Sequence, residues 1–525
     1  MTQTAAAAEI VKTNPSTRTE MYRFSEPSDE DLAQVFEHAK AAKEKIARMS
    51  VQDRVAETLK LRDFIVANKD AIVAKLCAET GKSLTDALIG DVFTVLDVID
   101  HYRTQAPKLL ADEKVKTPLM LMGKKSKIMY TPLGIALIIS PWNYPLSTAL
   151  TPGISAFLAG NAVILKPSEE TPTKGLLDWI IEGSGFLKDG MQVVFGGKDS
   201  GRKLIELRPD KVFFTGSVRA GKQIMEQASR QLISVELELG GKDPMLVFDD
   251  ANLERAANGA VWGALNNSGQ GCTSVERCFV QAGVYDAFVA KLKEKFAKLS
   301  TINTFKGTDE GNLDLGAITT SFQMKIIHAQ VEDARAKGAE VWSAKAYSDG
   351  CTCYPPTVIT NVNNQMTVQT DETFGPVITV APFKTEEDAV RLANDTIYGL
   401  SSSVWTSDLA KGDRVARRIE AGNVCINDVM VTEGNSALPF GGVKDSGIGR
   451  YKGRIGLHNF CNVKSIMIDK GKKNSEANWY PYTREKYQVL LKVVDALFGQ
   501  GGAAGLVKAG LCGMKLDGLV KKQRI

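Results

Sequence analysis

The sequence predicts an α/β chain in which a doubly wound, mostly parallel sheet is followed by a second α/β domain. Three observations carry this. Short continuous apolar runs, of which Gly134-Ile135-Ala136-Leu137-Ile138-Ile139-Ser140 is the clearest, end in turn residues such as Pro141, as strands buried on both faces do. Each run leads through a glycine- or proline-bearing loop into a stretch at helical spacing, and that alternation implies crossover connections and a parallel sheet. After "ELELGGKDPMLVFDD" the same alternation starts again.

Taken in order, residues 1–27 read as a flexible tail. The run Ala5 to Ala8 lacks a basic head and a long apolar segment, so a secretory signal is not expected, while Arg18 and Arg23 leave a transit peptide open. Ser28-Asp29-Glu30-Asp31 offers a cap oxygen and acid for a first helical turn, and helical spacing continues to about Leu110. Lys114 to Met129 is basic and strand-compatible around "PLMLMG". The strand ending at Ser140 leads into the loop "PWNYP", and the strand through Val163-Ile164-Leu165 exits at Lys166. "MQVVFGG" and "KVFFTGS" are further strand-then-glycine units, the second opening a helix from about Ala220 to Gln231. The second domain holds the helix "LERAANGAVWGALNNSG" and the strands "GAEVWSA", "PPTVIT" and "VITVAPF", and Val424-Cys425-Ile426-Asn427 closes it. "PFGGVKDSGIGRYKG" reads as a return toward the first domain. Near the end, Tyr487, Leu490, Leu491, Val494, Leu497 and Phe498 fall at helical spacing, and Lys508, Lys515, Lys521, Lys522 and Arg524 punctuate a glycine-interrupted tail. This is either a helix docked on the protein body with a frayed end or an interfacial membrane anchor.

Composition narrows the function. The 525 residues, 44% hydrophobic and 24% charged, allow two to four domains with large cores. A net charge of +4 from 65 basic and 61 acidic residues is too small and dispersed to predict a nucleic-acid partner. Eight cysteines in so long a chain fit a reducing compartment, so cytoplasmic localisation is expected and thiols are available for chemistry. No run approaches the ~18 apolar residues of a membrane span.

Two cysteines share the stretch "NNSGQGCTSVERC". Cys272 sits among small residues, whereas Cys278 opens the apolar run Cys278-Phe279-Val280 and reads as a buried thiol. A cysteine attacks carbonyl carbon as thiolate, and an ordinary pKa of ~8.5 leaves little of it without a nearby base or dipole. The four histidines, His38, His101, His328 and His458, do not lie in site-like loops, which weakens a Cys-His hydrolase. Glu238, in "LELGG", ends an apolar segment just before two glycines that open space around it. Cys351 and Cys353 form C-x-C without further ligands at zinc spacing, so no metal is expected.

"LELGGKDP" followed by the cysteine of "NSGQGC" resembles the active-site pair of the NAD(P)-dependent aldehyde dehydrogenase superfamily. The resemblance extends in order through "PWNYP", "LKPSEETP", "FTGS", "ETFGPV", "NDTIYGL" and "PFGGVKDSGIGRY", over residues 30–470. It implies an aldehyde dehydrogenase-like α/β fold with a Rossmann-type NAD-binding domain at 28–110 and 131–239 and a catalytic domain at 240–428. It further implies a return segment at 429–454, a small β oligomerisation arm at 111–130 and 455–470, and a C-terminal helix and tail at 471–525. By the same resemblance Cys272 is the nucleophile, Asn143 an oxyanion donor and Glu238 the base that activates water. Trp142, Lys166, Glu169, Gly216, Ser217, Glu372 and Phe374 would hold the cofactor. A carboxylate at the Glu169 position disfavours a 2′-phosphate, so NAD is expected, with NADP not excluded.

"GSVRAGKQIM", "WYPYTREKY" and the extra C-terminal helix look similar to the fatty-aldehyde branch, which implies a medium- or long-chain aliphatic or aromatic aldehyde as substrate, a homodimer or homotetramer, and peripheral membrane contact through the tail. Lys492 and Asp495 interrupt that tail and forbid a simple span. The alternatives are a semialdehyde or CoA-acylating dehydrogenase, or a noncatalytic scaffold that retains the fold.

Overall fold

The computed structural model describes residues 9–304, 306, 308–500 and 502–522. The expected N-terminal tail therefore falls outside the described residues over 1–8, as does the chain end at 523–525 with Arg524. Contacts divide the chain into a larger unit, up to Ala111 and from Tyr130 to Asn462, and a smaller one, Asp112–Met129 and Val463 onward.

In the larger unit the apolar runs become two sheets. The six-stranded sheet has the order Gly447–Ile448, Ser234–Glu238, Lys211–Thr215, Ile135–Ile139, Ala162–Lys166, Met191–Val193. Its strands are parallel except where Gly447–Ile448 runs antiparallel to Ser234–Glu238. Every residue of Ile135–Ile139 and Ala162–Lys166 is buried, which is why these strands read as unbroken apolar runs rather than alternating ones. The seven-stranded sheet has the order Glu340–Ser343, Thr357–Thr360, Val377–Phe383, Val275–Gln281, Asp243–Val247, Ser401–Trp405, Asn423–Ile426. It too is parallel apart from its first pair. The chain passes from one sheet to the other through Leu239–Lys242, so the ends of Ser234–Glu238 and the start of Asp243–Val247 define where a ligand can meet both.

The entry region is helical, as expected. Ser28 caps Asp29–Arg48 in a reciprocal capping box with Asp31, and acidic Asp29, Glu30 and Asp31 occupy the first turn. Between Leu84–Asp86 and Thr94–Leu109 the helix widens to a π-helix over Ala87–Phe93.

Two expectations change within this unit. Residues 9–25 are not a tail but an antiparallel hairpin, Glu9–Thr13 with Glu20–Ser25. Its charged side chains have specific partners: Arg23 bonds Glu9 and Glu20, buried Lys12 donates to the Glu170 carbonyl at 2.7 Å, and Tyr22 donates to Glu79. Paired charge at hairpin positions looks like solvated charge in a sequence. Residues 455–460, expected in the arm, instead follow the helix Gly453–His458 into the first core, with Leu457 and Phe460 buried, and Asn161 donates to the Phe460 carbonyl at 2.9 Å.

The smaller unit carries a three-stranded sheet in the order Cys461–Ile468, Lys125–Pro132, Glu113–Val115. "PLMLMG" is not strand: Pro118 starts a 3-10 turn at Leu119–Leu121, and Gly123 (φ +95°) completes the reversal in a conformation other residues resist. Two helices follow, Arg484–Phe498 and Gly502–Lys522. They pack through Val489, Val493 and Leu516, and a Cβ on Gly505 would lie 2.2 Å from the Ala496 carbonyl, so the close crossing requires glycine there. The tail is thus a helical hairpin and not a frayed end over the described residues. No helix among the described residues is long and apolar enough to cross a membrane.

Candidate active site

The helix Leu253–Leu265 delivers the chain to Asn266, and the next three residues, Asn267 (φ 51°), Ser268 (φ 56°) and Gly269 (φ 74°), are all left-handed. Two non-glycine residues in this region cost about 1–3 kcal/mol each, a strain that persists only where surroundings over-determine it. Here they do. Asn267 donates to the carbonyls of Gln270 and Asn143, Ser268 to Gly316, and Gln270 bonds Asn267, Ala317 and the Thr319 amide. Gly269 is forced: a Cβ there would sit 2.2 Å from the Gly375 backbone. The result lifts Cys272 out of the helix end, and among the described residues its backbone N–H has no acceptor.

Asn143 is 5% exposed and reaches this loop, its side-chain amide donating one hydrogen to the Gln270 carbonyl at 3.0 Å and leaving the other uncommitted. Its backbone is braced by Lys82, whose ammonium donates to the Asn143 carbonyl at 2.7 Å and pairs with Asp91 at 2.7 Å. Asp91 also accepts from the amides of Leu146 and Ser147. Tyr144 donates to Asn266 at 2.8 Å, fastening "PWNYP" to the cysteine loop. Gly90 permits this, since a Cβ would lie 2.4 Å from the Tyr144 ring.

Cys272 is partly accessible and unpaired. Burial of its surroundings pushes the thiol well above its usual range, and the nearby carboxyls of Glu238, Glu433, Glu372 and Asp243 push the same way. The thiol is therefore protonated at rest, and its ionisation depends on a base. Glu238, 3% exposed, ends the strand Ser234–Glu238, and its Oε1 has no hydrogen-bond partner. Burial raises its pKa to about 8, against a hydrogen bond with the Cys272 thiol that lowers it. Its carbonyl is fixed by the Gly216 amide at 3.0 Å.

The other sequence-predicted residues line the same cavity, of about 1730 Å³. That is well beyond the ~300–1,000 Å³ usual for one small ligand and suits a dinucleotide together with a second substrate. One end is polar. Lys166, 3% exposed, lies 3.3 Å from Glu169, and burial lowers its pKa. Ser217 caps the helix Val218–Ser229, whose N-terminus can take an anion. Midway, Trp142 packs edge-on against Phe374 at 5.3 Å. Glu372 accepts from the Gly241 amide at 3.0 Å, and burial pushes it up to about 8. A glycine must stand at 240, where a Cβ would meet Glu372 Oε2 at 2.4 Å. Extended polar lining, a helix N-terminus and ribose-sized acid positions together fit NAD. Apolar side chains exposed to solvent also line the cavity: Ile89, Phe93, Trp262 and Val431 are 53%, 58%, 45% and 46% exposed.

Sequence reasoning missed the groups that hold these residues. Glu276 accepts from the amides of Thr373 and Phe374 and from buried Lys242, thereby fixing left-handed Phe374 (φ 52°). Gln323 and Gln330 complete the support at Thr373 and Glu372. A signal existed: Glu276-Arg277 interrupts the buried strand Val275–Gln281, and charge there must be partnered. Lys82, Glu433 and Lys452, also near the thiol or its braces, carry no such pattern.

The chain matches the aldehyde dehydrogenase family over residues 2–466. It is 40% identical to a 4,4'-diapolycopene aldehyde oxidase from Methylomonas sp, over 86% of this chain and 84% of that one. Betaine aldehyde dehydrogenase from Staphylococcus aureus, solved with NAD+, superposes with a TM-score of 0.81 at 30% identity, over 90% of this chain and 94% of that one. An NADP-dependent enzyme from E. coli does so at 0.82 and 29%, over 88% and 95%. Fold, cavity and sequence thus define a dehydrogenase that works on carbonyl carbon, and the chain belongs to the aldehyde dehydrogenase family. It is an oxidoreductase that oxidises an aldehyde with NAD(P) as cofactor.

Proposed function

We propose that Cys272, Glu238 and Asn143 carry the oxidation of a medium- or long-chain apolar or aromatic aldehyde to its carboxylic acid, with NAD preferred. The thiol proton passes to Glu238, and the sulfur adds to the carbonyl carbon to give a thiohemiacetal. Negative charge developing on the carbonyl oxygen meets two donors, the uncommitted Asn143 amide hydrogen and the Cys272 backbone N–H. The nicotinamide ring, when bound, supplies the hydride acceptor. Glu238 releases the thiol proton to solvent, and the thioester left on Cys272 is then hydrolysed by water that gives a proton to the regenerated carboxylate, a base whose pKa of about 8 suits that task near neutrality.

For the cofactor, Lys166 and Glu169 would meet the adenine ribose, Gly216 and Ser217 the pyrophosphate, and Glu372, Phe374 and Trp142 the nicotinamide end. Preference for NAD follows from Glu169, whose carboxylate repels a 2′-phosphate. The single observation that carries the substrate class is the exposed apolar lining formed by Ile89, Phe93, Trp262 and Val431. Similarity to an oxidase named for an apolar polyene aldehyde supports it. A homodimer or homotetramer joined by the arm, cytoplasmic residence and peripheral membrane contact by the C-terminal hairpin belong to the same reading. Exposed Leu491, Val494, Phe498, Leu511 and Met514 beside Lys508 and Lys515 support the last.

The test is an aldehyde chain-length series, with kcat/KM read for NAD and NADP. Efficiency should rise with apolar length and favour NAD. A preference for short charged semialdehydes would reject the substrate class.

A further inference from the structure

Among the residues around Cys272 that the mechanism above does not use, Lys452 stands apart. It lines the same cavity as Cys272 and Glu238, is 3% exposed, and has a backbone at φ 62°, ψ 168°, a region that belongs to glycine. Its neighbours enforce that conformation. Tyr451 is bridged in both directions to Phe440, at 2.7 and 2.8 Å, and the Gly453 amide donates to Ser436 at 2.9 Å. Gly453 also has positive φ (57°), and a Cβ there would lie 2.5 Å from the Ala437 carbonyl. Strained Lys452 followed by a left-handed glycine turns one long cationic side chain inward.

The ammonium donates to the Glu433 carbonyl at 2.5 Å and lies 5.6 Å from the centre of the Tyr451 ring. Among the described residues it has no second hydrogen-bond acceptor and no carboxylate within ion-pair distance. A buried ammonium with free donors is costly unless negative charge faces it. The charges that act on it are those of Glu433, Asp97, Cys272 and Glu238, all raising its pKa against the burial that lowers it. Glu433 is itself tied to the nucleophile loop, accepting from the Thr273 hydroxyl at 3.2 Å. The charges that act on the cysteine itself are carboxyls, Glu238, Glu433, Glu372 and Asp243, all raising its pKa. A thiolate generated there needs a cation on its side of the cavity.

We propose that Lys452 is a positioning residue for the nucleophile, a strained, buried cation that balances the charge of the ionised Cys272 sulfur beside Glu238 and Glu433. The inference rests on Cys272 being the reacting thiol. It assigns a role to the lysine of "GRYKG" beyond its place in the fold, since glycine at this position would relieve the backbone and lose the charge, the bond to the Glu433 carbonyl and the contact with the Tyr451 ring.

The experiment is alkylation of the full-length enzyme with iodoacetamide at pH 7–9, without aldehyde or cofactor, followed by mass spectrometry of the peptide carrying Cys272; below the raised pKa of the thiol the rate follows the thiolate fraction. Lys452→Met and Lys452→Gly should both slow alkylation about tenfold at each pH, the equivalent of a one-unit rise in pKa on losing an opposite charge at close range. Lys452→Arg should stay nearer the wild type than either. Lys452→Gly also controls for folding, because it relieves the backbone while removing the charge. An unchanged rate in the Met or Gly variant, or an Arg variant slowed as far as Met, overturns the proposal. Alkylation of wild-type Cys272 that leaves aldehyde-dependent NADH formation intact would instead defeat the assignment of the nucleophile, a separate failure.

Discussion

Replacing Glu238 by glutamine removes the base from both halves of the reaction, and the structure sets the size of the effect. The carboxyl is buried, with its pKa raised to about 8 chiefly by desolvation and further by Glu433 and Glu372. About one tenth of it is ionised at pH 7 and about nine tenths at pH 9, so hydrolysis that depends on the carboxylate should quicken about tenfold over that span. Glutamine keeps the shape and removes the base. General-base catalysis contributes typically 10²–10⁴-fold, so steady-state turnover of Glu238→Gln should fall by about that factor and lose its pH dependence. Stopped-flow absorbance of NADH after mixing with aldehyde is the assay. The variant should release its first equivalent of NADH per site slowly, because the Cys272 thiol has lost the same proton acceptor, and then stall before hydrolysis. Turnover within threefold of wild type, or a wild-type profile flat from pH 7 to 9 while a burst proves hydrolysis limiting, would refute the reasoning.

The same variant should change the pH dependence of stability. A carboxyl whose folded pKa is raised stabilises the fold below its unfolded pKa, near 4.5, and that contribution is lost as pH climbs toward 8; the slope is about 1.4 kcal/mol per pH unit. Urea unfolding should therefore show Glu238→Gln gaining on wild type between pH 5.5 and 7.5 by about 2–3 kcal/mol, and a constant difference would contradict the raised pKa. Asn143→Ala should lower kcat by about 10²–10³, the worth of one oxyanion donor, with little change in melting temperature. Lys82→Met leaves Asp91 buried and unpaired and frees the Asn143 carbonyl, so it should cost about 3–5 kcal/mol in unfolding free energy and lower kcat as well. Glu169→Gln should raise kcat/KM for NADP relative to NAD about tenfold, and an unchanged ratio would remove Glu169 from cofactor choice.

What the sequence could reveal follows from what each feature costs locally. The fully buried strand Ile135–Ile139 was legible because burial on both faces excludes polar residues along its whole length. The capping box at Ser28 was legible because its partners are three residues apart. The hairpin at Glu9–Thr13 and Glu20–Ser25 was not, since Lys12 is satisfied by Glu170, far along the chain. In the site, the groups recognised were those carried by compact motifs. The supports were lost because each works across a long separation: Lys82 on Asn143, Glu276 on Phe374, Lys452 beside Cys272. A charged residue in an apolar context signals burial, but nothing in the local sequence says against what.

The two glycines of "LELGG" show how much one short motif can encode once distances are known. From the sequence they only open space around Glu238. In the structure neither serves Glu238 directly. A Cβ at 240 would strike the Glu372 carboxylate at 2.4 Å, and one at 241 would strike the Cys272 carbonyl at 2.3 Å. The strand that ends in Glu238 therefore continues as a bare backbone against which Glu372 and the Cys272 loop both close, and the Gly241 amide clasps Glu372 at 3.0 Å. Alanine at 241 would push the Cys272 loop away from this backbone, and alanine at 240 would displace the Glu372 carboxylate. For that reason the spacing of Glu238, Glu372 and Cys272 is set by the absence of side chains at two positions, a constraint that stabilises geometry without contributing any contact of its own.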